Sequence, residues 1–221
     1  MPNLYIVASP IGNLKDITLR ALEILKEVDL ILAEDTRVTK KLLSHYQISK
    51  PVWRYDANAR ESNFLKIFEF LEKGKDLALV TDAGTPGISD PGQRLIEKVS
   101  KKENVRIVPI PGPSALSTMI SGSDIDLSEF TFLGFPPHKK GRKTFFSKIA
   151  KSELPVILYE SPHRIQKTFK ELFLATGERH INVGRELTKI YEEIWRGDLS
   201  KASDHFSGEK GRGEFVIVVS I

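Results

Sequence analysis

Short aliphatic and β-branched runs alternate with longer stretches of helical period along this chain, and that alternation constrains the fold more than any single motif. Strands are expected at residues 4–8, 30–33, 52–55, 77–81 and 105–110, then at 130–133, 155–160, 181–185, 193–196 and 214–221. Between them, residues 17–28 place Ile17, Ala21, Ile24, Leu25 and Val28 on one helical face. Residues 62–73 do the same with Phe64, Leu65, Ile67, Phe68 and Leu71, and Gly74 follows as a C-cap. The expectation is an α/β protein with mainly parallel sheets. Five strands precede the segment Pro109-Ile110-Pro111-Gly112-Pro113-Ser114 and five follow it. Two α/β domains, residues 1–112 and 113–221, would meet there and leave a cleft between them for a small ligand, with Ser114 capping the next helix.

Composition removes several function classes. The 221 residues contain no cysteine, which excludes a disulfide framework, a thiolate nucleophile and a cysteine-ligated metal. No purely apolar run exceeds five residues, as at Phe215-Val216-Ile217-Val218-Val219, against roughly 20 needed to span a bilayer. With a strand starting at once at Leu4, the expectation is a soluble, cytoplasmic protein without a membrane partner. The five histidines, His45, His138, His163, His180 and His205, stand at no metal-ligand spacing, so no metal is expected.

In a parallel sheet, ligands sit outside the carboxyl ends of the strands, so the segment after each strand is where chemistry belongs. The first strand runs into Ser9-Pro10-Ile11-Gly12-Asn13, a tight turn. The second runs into Glu34-Asp35-Thr36-Arg37, whose acids suit either a helix cap or a reaction. The fourth runs into residues 81–92, where three glycines, two prolines and two aspartates forbid a regular element and leave backbone amides open. Gly87 and Gly92 have Walker spacing, but Gln93-Arg94 stands where Lys-Ser/Thr must follow, which rules out a phosphate-binding loop of nucleoside triphosphatases. In the second half, strand ends carry Glu160-Ser161-Pro162-His163-Arg164 and Gly184-Arg185-Glu186-Leu187-Thr188-Lys189.

Net charge is +4, and its distribution matters more than its size. Residues 131–151 hold no acid but carry Lys139, Lys140, Arg142, Lys143, Lys148 and Lys151. Together with Phe135, Pro136 and Pro137 this reads as a loop for RNA, cations on phosphates and a ring for a base. A solvated basic face reads the same composition equally well.

Residues 4–13, Ala33-Glu34-Asp35-Thr36-Arg37, residues 81–92, Pro111-Gly112-Pro113-Ser114-Ala115 and Tyr159-Glu160-Ser161-Pro162-His163-Arg164 resemble, in order and over nearly the whole chain, the bacterial small-subunit ribosomal RNA methyltransferase I family. That family is a 2′-O-ribose branch of the tetrapyrrole methylase superfamily. The resemblance implies two α/β domains of the tetrapyrrole-methylase, or class III methyltransferase, type, a cofactor cleft between them, S-adenosyl-L-methionine as cofactor and usually a homodimer. It implies a cytidine 2′-hydroxyl in the decoding region of 16S rRNA as acceptor, with 16S rRNA or the small ribosomal subunit as partner. By motif position, Pro10, Ile11, Gly12, Asp82, Ala83, Gly84, Ser114 and Ala115 should touch the cofactor, as should Tyr159, Glu160 and Leu187. A ribose hydroxyl is a poor nucleophile, so a carboxylate or a lysine of lowered pKa should help it, and the candidates are Asp82, Glu34, Asp35 and Lys189. Arg37, Arg142, Arg164 and Arg185, with Lys139, Lys140 and Lys143, are the candidates for RNA. Many members of the family continue past the last strand into a further helical domain, whereas this sequence ends at Ile221. Two rivals stand beside this reading: a small-molecule methylase of the same superfamily, and a non-catalytic RNA-binding protein of ribosome assembly.

Overall fold

The computed structural model describes residues 1–56, 61–90 and 92–221, so Pro91, where the sequence of the loop after the fourth strand leads into a helix, lies outside the described residues. The chain divides into two compact units, Met1–Ser114 and Ala115–Ile221.

The first unit runs β1 (Asn3–Val7), α1 (Leu19–Glu27), β2 (Leu30–Ala33), α2 (Thr36–His45), β3 (Val52–Arg54), α3 (Glu61–Glu72), β4 (Leu77–Val80), α4 (Gln93–Val99) and β5 (Arg106–Ile110). Its five strands pair in parallel in the order β3-β2-β4-β1-β5. Alternation along each strand feeds two cores, because successive side chains point to opposite faces. Leu4, Ile6, Leu30, Leu32, Leu77 and Leu79 pack with Phe64, Ile67 and Leu71 of α3 and Leu95 and Val99 of α4. Val7, Ile31, Ala33, Ala78 and Val80 pack on the other face with Ala21 and Leu25 of α1 and Leu42 and Leu43 of α2.

Caps set the helix limits. The Thr18 side chain accepts from the Ala21 N–H and starts α1 two residues later than the apolar period suggests. After α3, Gly74 adopts φ +76, its N–H bonding the Leu71 carbonyl at 2.9 Å while the Lys75 N–H bonds that of Phe70 at 3.2 Å. This pair of bonds closes the helix as the glycine in the sequence suggests.

The second unit runs α5 (Ala115–Ser121), β6 (Thr131–Gly134), α6 (Arg142–Ala150), β7 (Val156–Glu160), α7 (Ile165–Thr176), β8 (His180–Arg185), β9 (Glu193–Asp198), α8 (Leu199–His205) and β10 (Phe215–Val219). The strand order is β6-β7-β10-β8-β9. Only β6 and β7 pair in parallel, and the other three pairings are antiparallel. The expectation of mainly parallel pairing thus holds for the first sheet and is corrected for the second. The physical reason is that β10 returns between β7 and β8, while the short excursion from Arg185 to Glu193 folds β9 back on β8 as a hairpin partner. Helices α6, α7 and α8 cover one face through Phe146, Ile149, Phe169, Leu172, Ala202 and Phe206.

Candidate functional site

In the first unit, β1 and β4 are neighbours, yet the chain leaves β1 through α1 toward β2 and leaves β4 through α4 toward β5 on the opposite face. Such a reversal opens a crevice at the carboxyl edge, the usual ligand position in a sheet of this kind. Two loops cross there. The Ser9 N–H donates to the Gly84 carbonyl at 2.9 Å, and the Gly84 N–H returns a bond to the Ser9 carbonyl at 3.1 Å. Buried Ser9 also donates from Oγ to the Thr81 carbonyl at 3.0 Å. Gly84 sits at φ +78, and a Cβ on it would touch Ile11 Cγ2 at 3.5 Å, so a side chain there would be strained and would close the crossing. Thr85 Oγ1 donates to the Pro113 carbonyl at 3.2 Å, tying the loop to the exit of β5.

Those of the residues expected at the cofactor that lie in the first unit are thus brought to one edge by β1, β4 and β5. Pro10, Ile11, Gly84 and Ser114 are buried, while Gly12, Asp82 and Ala83 are exposed. Ala115, half-buried, opens α5.

The acids after β2 join the same edge. Asp82 Oδ1 accepts from the Asp35 N–H at 2.9 Å, and Glu34 Oε2 accepts from the Asp82 N–H at 3.4 Å, so the two loops hold each other. Their environments then separate the carboxyls. Burial pushes the Glu34 carboxyl above its usual range, and the neighbouring charges of Asp82, Asp56 and Asp35 add to the rise. Asp35 caps α2 instead: its carboxylate takes the Arg37 guanidinium at 2.5–3.1 Å and the Arg37 N–H at 2.8 Å, which hold its pKa at about 2. Asp35 is therefore a poor proton acceptor, and its role as a reacting carboxylate is corrected to that of a cap. Arg37 keeps an exposed side chain beside it.

In the second unit, Phe215 at the start of β10 pairs with Glu160 on one side and Arg185 on the other, so the two charged strand ends stand level with each other across β10. Glu160 is among the residues expected at the cofactor, but its carboxylate is fully enclosed. It accepts from the Ser161 N–H at 2.7 Å, Thr168 Oγ1 at 2.5 Å and Arg164 Nη2 at 2.9 Å, with Arg142 Nη1 at 3.9 Å. Only its main chain is left for a ligand. Arg142 is likewise not a surface cation: it is 4% exposed and donates to Glu171 at 2.6 Å, Thr168 at 2.8 Å and the Pro137 carbonyl at 3.1 Å. Its assignment to RNA is corrected, because as the first residue of α6 it turns inward onto α7. Arg164 clamps the same loop through the Pro136 carbonyl at 2.8 Å and Ser161 Oγ at 3.2 Å. Arg185 spends its guanidinium on the carbonyls of Arg212, Tyr191 and Glu209 at 2.7–3.3 Å. Lys139, Lys140 and Lys143 do stand exposed.

The turn after β8 departs from expectation too. Burial alone would lower the Lys189 pKa, but the carboxylates of Glu186 at 2.8 Å and Glu214 at 2.9 Å outweigh it and hold the ammonium above its ordinary value. A lysine of lowered pKa is thereby overturned. Glu186 and Thr188 both adopt positive φ, 49° and 69°, and hold Leu187 down, 5% exposed, against Gly184. Tyr159, half-buried, stacks edge-on with Phe132 at 5.0 Å and Phe135 at 5.5 Å. Sequence reasoning missed Thr168, a fully buried hydroxyl that joins Arg142 to Glu160, because nothing in its helical position marks it. Among the described residues no group of three or more His, Cys, Asp or Glu is arranged to hold a metal, and no helix is long and apolar enough to cross a membrane.

A doubly wound parallel sheet with a glycine crossing at its switch point, followed by a mixed sheet, defines the methylase fold class. Solved structures share it: cobalt precorrin-4 methyltransferase at TM-score 0.71 and 21% identity, over 99% of this chain and 94% of that one. Diphthine synthase aligns at TM-score 0.76 and 15% identity, over 99% and 89%. The chain belongs to the tetrapyrrole (corrin/porphyrin) methylases, whose family model matches residues 3–203. It is 41% identical over 220 residues to the ribosomal RNA small subunit methyltransferase I of Thermotoga maritima, covering 100% of this chain and 99% of that protein. The Bacillus subtilis protein of the same name is 43% identical over 98% of this chain and 74% of its own length.

Proposed function

We propose that this chain transfers a methyl group from S-adenosyl-L-methionine to the ribose 2′-hydroxyl of a cytidine in the decoding region of 16S rRNA. The observation that carries the reading is identity above 40%, over essentially the full chain, to relatives named ribosomal RNA small subunit methyltransferase I. The protein acts in the cytoplasm as a homodimer in this reading, on 16S rRNA or the small ribosomal subunit.

The residues present suit the cofactor. Gly12 and Ala83 leave backbone open to close approach, and Asp82 brings an exposed carboxylate suited to a cationic sulfonium or ammonium. The first unit's candidates to hold it are Pro10, Ile11, Gly12, Asp82, Ala83, Gly84 and Ser114, and the second unit's are Ala115, Tyr159, Leu187 and the main chain of Glu160. The group, when bound, supplies an electrophilic methyl carbon whose transfer discharges a positive centre, so alignment matters more than polarisation.

Glu34 is the proton acceptor for the 2′-hydroxyl: its raised pKa puts its basicity nearer neutrality than that of Asp35. Asp82 orients the loop through the Asp35 N–H. Lys139, Lys140, Lys143 and Arg37 face the phosphates. A small-molecule methylase has no comparable use for an exposed basic loop.

The test is transfer of a labelled methyl group to small ribosomal subunits that lack the modification, with the nucleotide mapped by alkali resistance of its 3′ phosphodiester. Label at a single 2′-O-methylcytidine is expected, and Asp82→Asn should reduce it by about tenfold or more without changing the melting temperature by more than a few degrees. Label on a corrinoid or porphyrin acceptor, with none on subunits, would overturn the reading in favour of a small-molecule enzyme.

A further inference from the structure

Helix α6 carries a second polar face. Thr144, Ser147, Lys148 and Lys151 fall at the helical spacing that puts them on one side. With Thr131 of β6 and Ser152 beyond the helix, they line an open groove of about 460 Å³. Strand β6 is the edge of its sheet, and no described strand pairs with its outer side.

The chemistry of the groove is one-sided. Four of its lining residues are hydroxyl-bearing, although Ser152 already donates to the Leu154 carbonyl at 2.7 Å; two are lysines, Leu133 and Val156 form an aliphatic floor, and no acid lines it. Because Arg142 points inward, the basic run 131–151 presents five exposed lysines: Lys139, Lys140 and Lys143 on the loop and Lys148 and Lys151 on the groove. Among the described residues none of the five is paired with an acid. Lysines meet phosphates as point charges, and hydroxyls donate to phosphate oxygens or accept from a ribose hydroxyl. No aromatic ring and no amide side chain lines the groove, so it has nothing with which to stack on or read a base. From Thr144 to Lys151 the polar face extends about 10 Å at 1.5 Å per residue, longer than a single phosphate.

We propose that the groove between β6 and α6 holds the sugar–phosphate backbone of the RNA substrate, independently of its sequence. This rests on the reading of the chain as an RNA methyltransferase, and it adds a docking surface that none of the motif residues supplies. The groove contributes affinity and register, while the base to be modified is selected elsewhere.

The test compares the full chain with the double variants Lys148→Ala/Lys151→Ala and Lys148→Arg/Lys151→Arg. Binding to unmodified small ribosomal subunits is measured directly across a salt series, and methyl transfer separately. The alanine pair should weaken subunit binding about tenfold and flatten the log–log salt dependence by about 1.4, roughly 0.7 for each single-strand phosphate no longer neutralised. The weakening should appear in KM rather than kcat, with cofactor affinity unchanged, and the arginine pair should reverse it. If the wild-type chain transfers methyl groups to subunits while the alanine pair binds them with unchanged affinity and slope, the groove proposal is wrong, whatever else occupies that face. If the alanine pair weakens binding but no chain transfers a methyl group, the groove stands and the catalytic reading fails.

Discussion

Glu34 sits half-buried among three other carboxyls, and that placement gives the residue opposite effects on stability and on reaction. Its folded pKa is raised, so the folded protein binds a proton more readily than the unfolded chain does. Ionising Glu34 therefore subtracts stability as pH rises from its ordinary 4.5 through the raised value, and adds none below. Glu34→Gln should raise the melting temperature at pH 7 and have little effect at pH 4, while slowing methyl transfer by about 10²–10⁴-fold if the carboxylate takes the proton. Thermal melts at the two pH values, beside single-turnover rates, check both halves; an equal shift at pH 4 and pH 7 would remove the titration argument. Asp35, one residue on, behaves in the opposite sense: the stability its bonds contribute is full above its ordinary 3.8 and is lost as pH falls from there through about 2. The sequence placed both acids at a strand end and left cap and reaction open. What separates them is the Arg37 fork on one and burial on the other, and neither is a property of spacing.

At the scale of elements, the Glu160 carboxylate ties β7, α7 and the start of α6 into one cluster. Arg142 and Arg164 reach from it to the Pro137 and Pro136 carbonyls, so the loop that carries Phe135, Lys139 and Lys140 is fixed from beneath by buried charge. Removing one partner of such a cluster leaves the others uncompensated, so Glu160→Gln should cost about 3–5 kcal/mol of unfolding free energy. Urea denaturation measures it, and a double-mutant cycle with Thr168→Val should show coupling, because the Thr168 hydroxyl bonds both charges. A cost under about 1 kcal/mol would mean that the ions are not truly sequestered. All ten strands were legible within a few residues from their aliphatic runs, and Gly74 marked its helix end correctly. The inward turn of Arg142 was not legible, since a run of six cations does not say which one lies over a neighbouring helix. Strand direction was equally hidden: an apolar run of five reads alike in parallel and antiparallel company.

For the whole molecule, the two sheets are built separately, each with its own core. Damage to one core should therefore remain local. Ile217, fully buried in the middle of β10, is the sharpest probe, and Ile217→Asp places an unpaired charge where about 4 kcal/mol or more is lost. Hydrogen exchange should show the amides of residues 115–221 losing protection while those of β1, β2 and β4 keep theirs; simultaneous loss in both would refute independent cores. Among the described residues β10 comes last in strand order along the sequence, yet it is the middle strand of its sheet. During synthesis, which proceeds from the N-terminus, the first unit has all its strands once residue 110 has emerged. The second holds β7 and β8 apart, each with a bare edge, until residues 215–219 arrive to fill the slot between them. The second unit thus cannot begin to be native until residue 219 has emerged, and the interval before that is when it is most exposed to pairing with the wrong strand.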